Sequence, residues 1–116
     1  MAARIDWYYH RKRRTSCTRA DAHLCGVGAT VRETVDARLQ RYAASDLDAL
    51  FDGARKLIAM RGSRVVTFDL AGDPPAPAVL AKAVLGPSGN LRAPTLRVGE
   101  TVVVGFGKQV YEELFG

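Results

Sequence analysis

A cysteine follows a run of basic residues at the point where a helix is predicted to begin. Thr15 and Ser16 are residue types that often cap helix N-termini, and Cys17 comes directly after them. The unpaired backbone N–H groups and the dipole of a helix N-terminus favour negative charge, and the nearby Arg13 and Arg14 favour it further. These effects lower the pKa of a thiol toward the reactive thiolate. The spacing therefore predicts that Cys17 is a redox-active or nucleophilic thiol.

The basic run from Arg11 to Arg14 suits the binding of an anion at the start of this helix. A guanidinium pairs well with carboxylates and oxyanions, and the formal net charge of +5 is consistent with an anionic partner. The alternative is an ordinary solvated turn. The nearby aromatic residues lie in a predicted core strand, so a nucleic-acid partner is not expected. His10 and His23 lack the spacing of a Cys/His metal site, and we predict no bound metal or cofactor.

Cys25 lies eight residues after Cys17 on the same predicted helix. That separation spans about 12 Å at about 1.5 Å per residue, beyond the roughly 7 Å Cα limit of a disulfide. We therefore expect two free thiols, with Cys25 buried as a small apolar residue. Two unpaired cysteines fit a reducing compartment. No apolar run approaches the roughly 18 residues of a membrane span, and the N-terminus lacks the apolar region of a signal peptide, so we expect a cytoplasmic protein.

The segments around Cys17 predict a strand, a helix and a second strand, in that order. The aromatic and β-branched stretch 5–9 indicates a buried strand. The helix that begins near Thr15 stops at 26–28, and residues 29–36 predict the second strand. Such a unit is typical of two parallel strands with a helix packed on one face of the sheet.

The rest of the chain alternates helix and strand signals. Apolar residues from Leu47 to Ile58 recur at spacings of three and four and predict an amphipathic helix from Ser45 to about Gly62. The later segments are predicted, in order, as an edge strand or extended connection at 64–70, a short helix at 78–85, a hairpin of strands 95–98 and 101–105, and a closing helix at 108–115. With 116 residues and 47% apolar content, the chain is expected to form one domain.

These elements and two short motifs resemble the thioredoxin fold in its glutaredoxin and arsenate-reductase branch, which includes the ArsC and Spx proteins. The segment 14–20, Arg-Thr-Ser-Cys-Thr-Arg-Ala, is similar to the Cys-Thr-Ser-Cys-Arg-Lys-Ala motif of that branch. Arg92-Ala93-Pro94 resembles the segment that holds the family's cis-proline beside the active site. The resemblance implies a single α/β domain over 1–116, with a mixed sheet of about four strands, flanking helices and a helical insertion at 45–89.

The resemblance also implies the chemistry and the residues that carry it out. It predicts a thiol-disulfide oxidoreductase in which a thiolate attacks a sulfur or an oxyanion and a second thiol resolves the intermediate. Glutathione or a protein thiol would be the co-substrate, and a small oxyanion or a protein disulfide would be the substrate. The implied catalytic positions are Cys17 and Arg14, and the implied substrate-binding residues are Arg13, Thr15, Ser16, Arg92, Ala93, Pro94 and Thr95.

The arsenate reductases bind their oxyanion with three arginines, and only part of that set is present in this chain. Arg92 matches one of the three, and Arg61 or Arg64 matches a second. Gly105-Phe106 stands where the third arginine would be. We therefore expect a general thiol-disulfide activity rather than arsenate reduction.

Arg14 stands where the family places its nucleophilic cysteine. A cation there opposes the helix dipole by roughly 0.3–1 kcal/mol. Three explanations are open. In the first, Arg14 is native and the protein is a non-catalytic or Cys17-dependent relative. In the second, Arg14 is an engineered or misassigned residue, and in the third, the natural residue is cysteine or selenocysteine, as in similar ArsC-family proteins.

The alternative function is a non-catalytic, Spx-like module that binds a protein partner.

Overall fold

The computed structural model describes residues 3–116, which form a mixed α/β fold. The strands are β1 (Arg4–Ile5), β2 (Trp7–His10), β3 (Thr30–Val31), β4 (Thr34–Asp36), β5 (Lys56–Arg61), β6 (Arg64–Asp69), β7 (Thr95–Val98) and β8 (Thr101–Val104). The helices are α1 (Thr15–Gly26), α2 (Leu47–Leu50), α3 (Pro77–Val84) and α4 (Lys108–Phe115), and a short 3-10 helix (Ala44–Asp46) precedes α2. No helix in the described residues is long and apolar enough to cross a membrane.

Six of the strands form one mixed sheet in the order β4-β2-β7-β8-β5-β6. β2 is parallel to β4, β7 is antiparallel to both β2 and β8, and β8 is parallel to β5. β5 and β6 form an antiparallel hairpin at one edge. β1 and β3 pair in parallel as a separate two-stranded sheet. The centre of the large sheet is therefore β7 and β8, whose Leu96 and Val103 are fully buried.

Apolar side chains pack on both faces of the sheet and form two clusters. In one cluster, α1 and α4 pack through Leu24 and Tyr111 against β2, β7 and β8. In the other, α2 and α3 contribute Leu47 and Val84, and Cys17 joins this cluster from the first turn of α1. Because successive side chains of a strand point to opposite faces, the central strands are buried on both sides. The start of α1 therefore lies against the core.

Several of the sequence predictions are confirmed. The strand, helix, strand unit is present with β2 and β4 in parallel, although residues 29–36 form two short strands instead of one. The hairpin of β7 and β8, the edge strand β6 and the helix α4 lie where they were expected. α3 begins and ends one residue earlier than predicted. The α/β class with a mixed sheet is therefore confirmed.

The helix predicted from Ser45 to Gly62 is wrong for most of its length. Helical structure ends at Leu50, and Gly53, with a positive φ of 79°, lies in the turn that leads into β5. β5 lies between β8 and β6, and its four central residues are buried. The sequence of a strand that is buried on both faces is a continuous apolar run. Hydrophobic periodicity alone does not distinguish such a run from a buried helix. The segment 45–89 is therefore not a helical insertion, because it adds the β5–β6 hairpin to a sheet of six strands rather than four.

Candidate functional site

The loop between β2 and α1 exposes four consecutive basic side chains. Arg14 is the N-cap residue of α1, and its carbonyl accepts a hydrogen bond from the Thr18 N–H at 2.9 Å. Thr15 and Ser16, predicted as caps, are instead the first two helical residues, so that prediction is wrong. Arg13 has a positive φ of 69°, a left-handed conformation that is uncommon outside glycine. This residue turns the chain from the strand into the helix.

Cys17 lies at the first turn of α1 and is fully buried, with 0% of its surface exposed. Its Sγ accepts a hydrogen bond from the Arg11 backbone N–H at 3.3 Å. Burial raises the pKa of the thiol, and this effect outweighs the lowering caused by the Arg11 N–H and the Arg14 guanidinium. The prediction of a lowered thiol pKa is therefore wrong. The helix terminus and the arginines do favour the thiolate, but the sulfur is removed from water.

Cys25 is exposed near the end of α1, so the prediction that it is buried is also wrong. The buried stripe of α1 consists of Cys17, Ala20 and Leu24, which are spaced three and four residues apart. Cys25 lies next to this stripe in sequence but on another side of the helix. Both cysteines are free thiols, as expected.

Thiol labelling at neutral pH is expected to modify Cys25 well before Cys17. Cys25 is accessible, whereas Cys17 is buried and its raised pKa leaves less of it as the thiolate. We expect Cys17 to react at least about tenfold more slowly, a difference of roughly 1.4 kcal/mol in activation free energy. Iodoacetamide labelling followed by peptide mass spectrometry measures both rates, and the single Cys→Ser variants serve as controls. Equal rates would contradict the burial of Cys17.

The segment before β7 packs beside the start of α1. The Ala93–Pro94 peptide bond is cis, as predicted. Ala93 belongs to the same core cluster as Cys17. Thr95 is fully buried, and its hydroxyl donates to the Arg92 carbonyl oxygen at 2.6 Å. Pro94 and Thr95, which were both predicted to bind substrate, are therefore buried in the core.

Arg92 is held in place by backbone carbonyls. Its guanidinium donates to the carbonyl oxygen of Met60 at 2.6 Å and to that of Ala83 at 3.2 Å. Burial, followed by the nearby charges of Arg61 and Arg14, lowers its pKa. Both terminal nitrogens thus satisfy main-chain acceptors. A ligand would be bound by a guanidinium that already has a structural role.

A cleft of about 230 Å³ opens between the start of α1 and the segment before β7. Its basic side chains are Arg11, Arg14, Arg41 and Arg92, and we call it the cationic cleft. Among the described residues, no acidic side chain lines it. None of the four arginines forms an ion pair with a carboxylate within residues 3–116. The cleft therefore concentrates positive charge that the fold itself does not neutralise.

The structure brings only some of the predicted site residues together. Arg14, Arg92 and Ala93 line the cationic cleft. Arg13 lies on an adjoining basic surface that includes Arg38. Thr15 and Ser16 line neither surface, although they follow Arg14 directly. The sequence prediction missed Arg41, which lies 27 residues after Arg14 and enters the cleft only because of the fold.

A polar cluster of Asp21, Tyr8 and His10 close to Cys17 was not predicted. Asp21 accepts a hydrogen bond from the Tyr8 hydroxyl at 2.7 Å, and its other oxygen lies 2.7 Å from His10 Nε2. Asp21 also raises the pKa of Cys17 through its negative charge. The sequence spacing could have indicated this cluster. Tyr8 and His10 lie on one face of a strand, and Asp21 lies four residues after Cys17, on the same face of a helix.

Comparisons of the chain with protein-family models, with curated proteins and with solved structures find no match. Within residues 3–116, no group of three or more His, Cys, Asp or Glu side chains is arranged to hold a metal ion. The chemistry of the site is therefore inferred from the cationic cleft and the two residues, Arg14 and Cys17, at the start of α1.

Proposed function

We propose that this chain is a thioredoxin-like domain of the arsenate-reductase and glutaredoxin type that binds an anionic thiol compound, such as glutathione, or an acidic protein segment. In this proposal its own thiol-exchange activity is low. The observation that carries it is the set of four arginines around one cleft with no acidic residue, among those described, in the wall. Guanidinium groups bind carboxylates through charge-assisted hydrogen bonds.

The sheet supports the thioredoxin-like part of the proposal. Four strands in the order β4-β2-β7-β8 form a mixed sheet, and α1 and α4 contribute to the cluster packed against it. Such a sheet with flanking helices is what the resemblance implies. The cis Ala93–Pro94 bond lies in a segment that lines the same cleft as Arg14, at the start of α1. The β5–β6 hairpin would then be an addition to that arrangement.

The state of Cys17 supports binding rather than efficient exchange. A thiol must be accessible and partly ionised to attack a disulfide. Cys17 is fully buried and its pKa is raised. Arg14, at the exposed end of the helix, carries no thiol. A ligand in the cationic cleft would therefore meet guanidinium groups before it meets sulfur.

A thiol-disulfide oxidoreductase is the second candidate function. The observation that favours it is the position of Cys17, three residues after an exposed N-cap residue and with its Sγ hydrogen-bonded to the Arg11 N–H. Because Arg14 carries no thiol, Cys17 itself would attack a substrate disulfide and release one of its two thiols, and a thiol of glutathione or of a protein would then resolve the mixed disulfide on Cys17. The substrate would be a protein disulfide or a small oxyanion, with glutathione or a protein thiol as co-substrate. Turnover that Cys17→Ser abolishes would favour this candidate.

Glutathione binding is expected to depend on Arg14 and Arg41. Arg14→Ala and Arg41→Ala should each raise the dissociation constant about fivefold, roughly 1 kcal/mol, because each removes a charge-assisted donor. Isothermal titration calorimetry at low ionic strength measures the affinity, and added salt should weaken it. Arg32→Ala removes an exposed arginine that does not line the cleft and is the matched control.

The same titration with an acidic peptide covers the other ligand class. If the wild type binds neither glutathione nor the acidic peptide, the proposed function is wrong. Binding that Arg14→Ala and Arg41→Ala leave unchanged would also contradict it, because the ligand would then lie outside the cationic cleft.

A further inference from the structure

A second concave surface lies between α3 and the β5–β6 hairpin. It is a groove of about 550 Å³. Its apolar floor includes Val66, Phe68, Val79 and Ala83, and we call this surface the β6 groove. Val66 is 38% exposed and Val79 is 50% exposed. The apolar floor is therefore open to solvent.

Basic side chains surround the β6 groove. Arg61, Arg64 and Lys82 lie in its wall, and no acidic side chain of residues 3–116 does. None of the three forms an ion pair with a carboxylate in the part of the chain that the structure describes. Arg61 donates to the carbonyl oxygens of Lys82 and Leu85, both at 3.4 Å, which positions its guanidinium beside the groove. An acidic ligand with apolar side chains would therefore match both the charge and the floor.

The outer side of β6 offers backbone hydrogen-bonding groups. β6 is an edge strand whose neighbour in the sheet is β5. The Leu70 N–H donates to the Arg55 carbonyl oxygen at 2.9 Å. Hydrogen-bonded residues alternate along an antiparallel strand, so the backbone N–H and C=O groups of the even-numbered residues of β6 point toward β5. The N–H and C=O groups of Val65, Thr67 and Asp69 face outward, and no other segment within residues 3–116 pairs with them. β6 also lacks the proline and lysine that often protect an edge.

We propose that the β6 groove and the free edge of β6 together bind an extended acidic segment of a partner protein, which adds to the sheet as a further strand. The backbone of the segment would pair with the outward-facing groups of β6, and every second side chain would lie over the groove. Apolar side chains of the segment would cover Val66 and Phe68. Acidic ones would reach Arg64 and Lys82. This site shares Arg92 with the cationic cleft but differs from it, because the cleft has no free strand edge in its wall.

A synthetic peptide tests the proposal with the full chain. The probe is a fluorescein-labelled peptide of about nine residues, Val-Thr-Glu-Thr-Val-Thr-Glu-Thr-Val, a length within the usual range of strands. Its odd-numbered side chains lie on one face of a strand and alternate between valine and glutamate. Fluorescence anisotropy should show saturable binding. Val66→Glu should raise the dissociation constant at least about tenfold, because it places a carboxylate on the apolar floor. Arg64→Glu should weaken binding as well, and Arg32→Glu, the same charge change outside the groove, should alter it less than about twofold.

Changes to the peptide separate the two parts of the site. A peptide with lysine in place of glutamate should bind at least about tenfold more weakly, since its charge opposes that of the groove wall. A peptide N-methylated along its pairing edge should lose binding, because it cannot add to β6. Circular dichroism checks that the protein variants remain folded.

The proposal is overturned if the acidic peptide shows no saturable binding, if the lysine peptide binds equally well, or if Val66→Glu leaves binding unchanged. Analytical ultracentrifugation of the protein alone adds one more test. A dimer that Val66→Glu dissociates would also overturn the proposal, because a second copy of the chain would then cover the β6 edge.

Discussion

Replacing Arg14 with cysteine is expected to give a chain that reduces glutathione mixed disulfides efficiently. The new thiol would lie at the exposed N-cap of α1, three residues before Cys17, where the helix terminus and the remaining Arg11 and Arg41 of the cleft lower its pKa. Its thiolate would attack the glutathione sulfur and release the other thiol of the substrate. A second thiol, from Cys17 or from free glutathione, would then release the bound glutathione. We expect a rate at least about tenfold above that of the wild type, roughly 1.4 kcal/mol in activation free energy.

Two further variants identify the source of that activity, which is measured as glutathione consumption during reduction of the mixed disulfide. Arg14→Ser removes the same guanidinium and adds no thiol, so its rate should stay near that of the wild type. Combining Arg14→Cys with Cys17→Ser tests the resolving thiol: activity persists if glutathione resolves the intermediate and is lost if Cys17 does. Equal rates for the wild type and Arg14→Cys would show that the chemistry does not depend on the segment 14–17.

The parts of the fold that the sequence predicted correctly have local signals. The strands β7 and β8 are rich in β-branched residues and flank Gly99-Glu100, a turn type that suits a two-residue hairpin. The helix α4 was predicted to pack through Val110, Tyr111 and Leu114, and Tyr111 is buried, but Phe115 is the second buried residue and Leu114 is exposed. β5 has no such signal, because Leu57 and Ile58 continue the helical spacing of the preceding apolar residues. Only its position between β8 and β6 makes this segment a strand.

The sequence predicted which segments form the candidate site, but not the pKa or the exposure of its groups. The motif around Cys17 correctly indicated a helix start next to a cis-proline segment. The thiol pKa depends on burial by residues distant in sequence, such as Val84 and Ala93, which no local pattern reports. Arg41 enters the cleft for the same reason. Local spacing therefore indicated a helix start at this segment, whereas tertiary packing decides which of its groups is accessible.

Adding one methyl group at Gly105 is expected to destabilise the fold by about 3 kcal/mol. Gly105 has a φ of 91°, and a Cβ there would lie 2.5 Å from the Met60 carbonyl oxygen. The left-handed conformation costs alanine about 1–2 kcal/mol, and crowding of this kind costs about 1–3 kcal/mol more. The Met60 oxygen is a backbone atom that also accepts from Arg92. It therefore moves away only if β5 and the Arg92 contact move with it.

Urea denaturation of Gly105→Ala and Gly99→Ala separates the two contributions. Gly99 has a positive φ of 58°, but no heavy atom lies within 4 Å of a Cβ built there, so its substitution reports the conformational cost alone, about 1 kcal/mol. The further loss in Gly105→Ala, about 2 kcal/mol, then measures the crowding against Met60. An unchanged m-value would show that the variants differ from the wild type in stability and not in the surface exposed on unfolding. Equal losses for the two variants would mean that the end of β8 moves away from β5 without cost, and that Arg92 is held less firmly than its bonds to Met60 and Ala83 indicate.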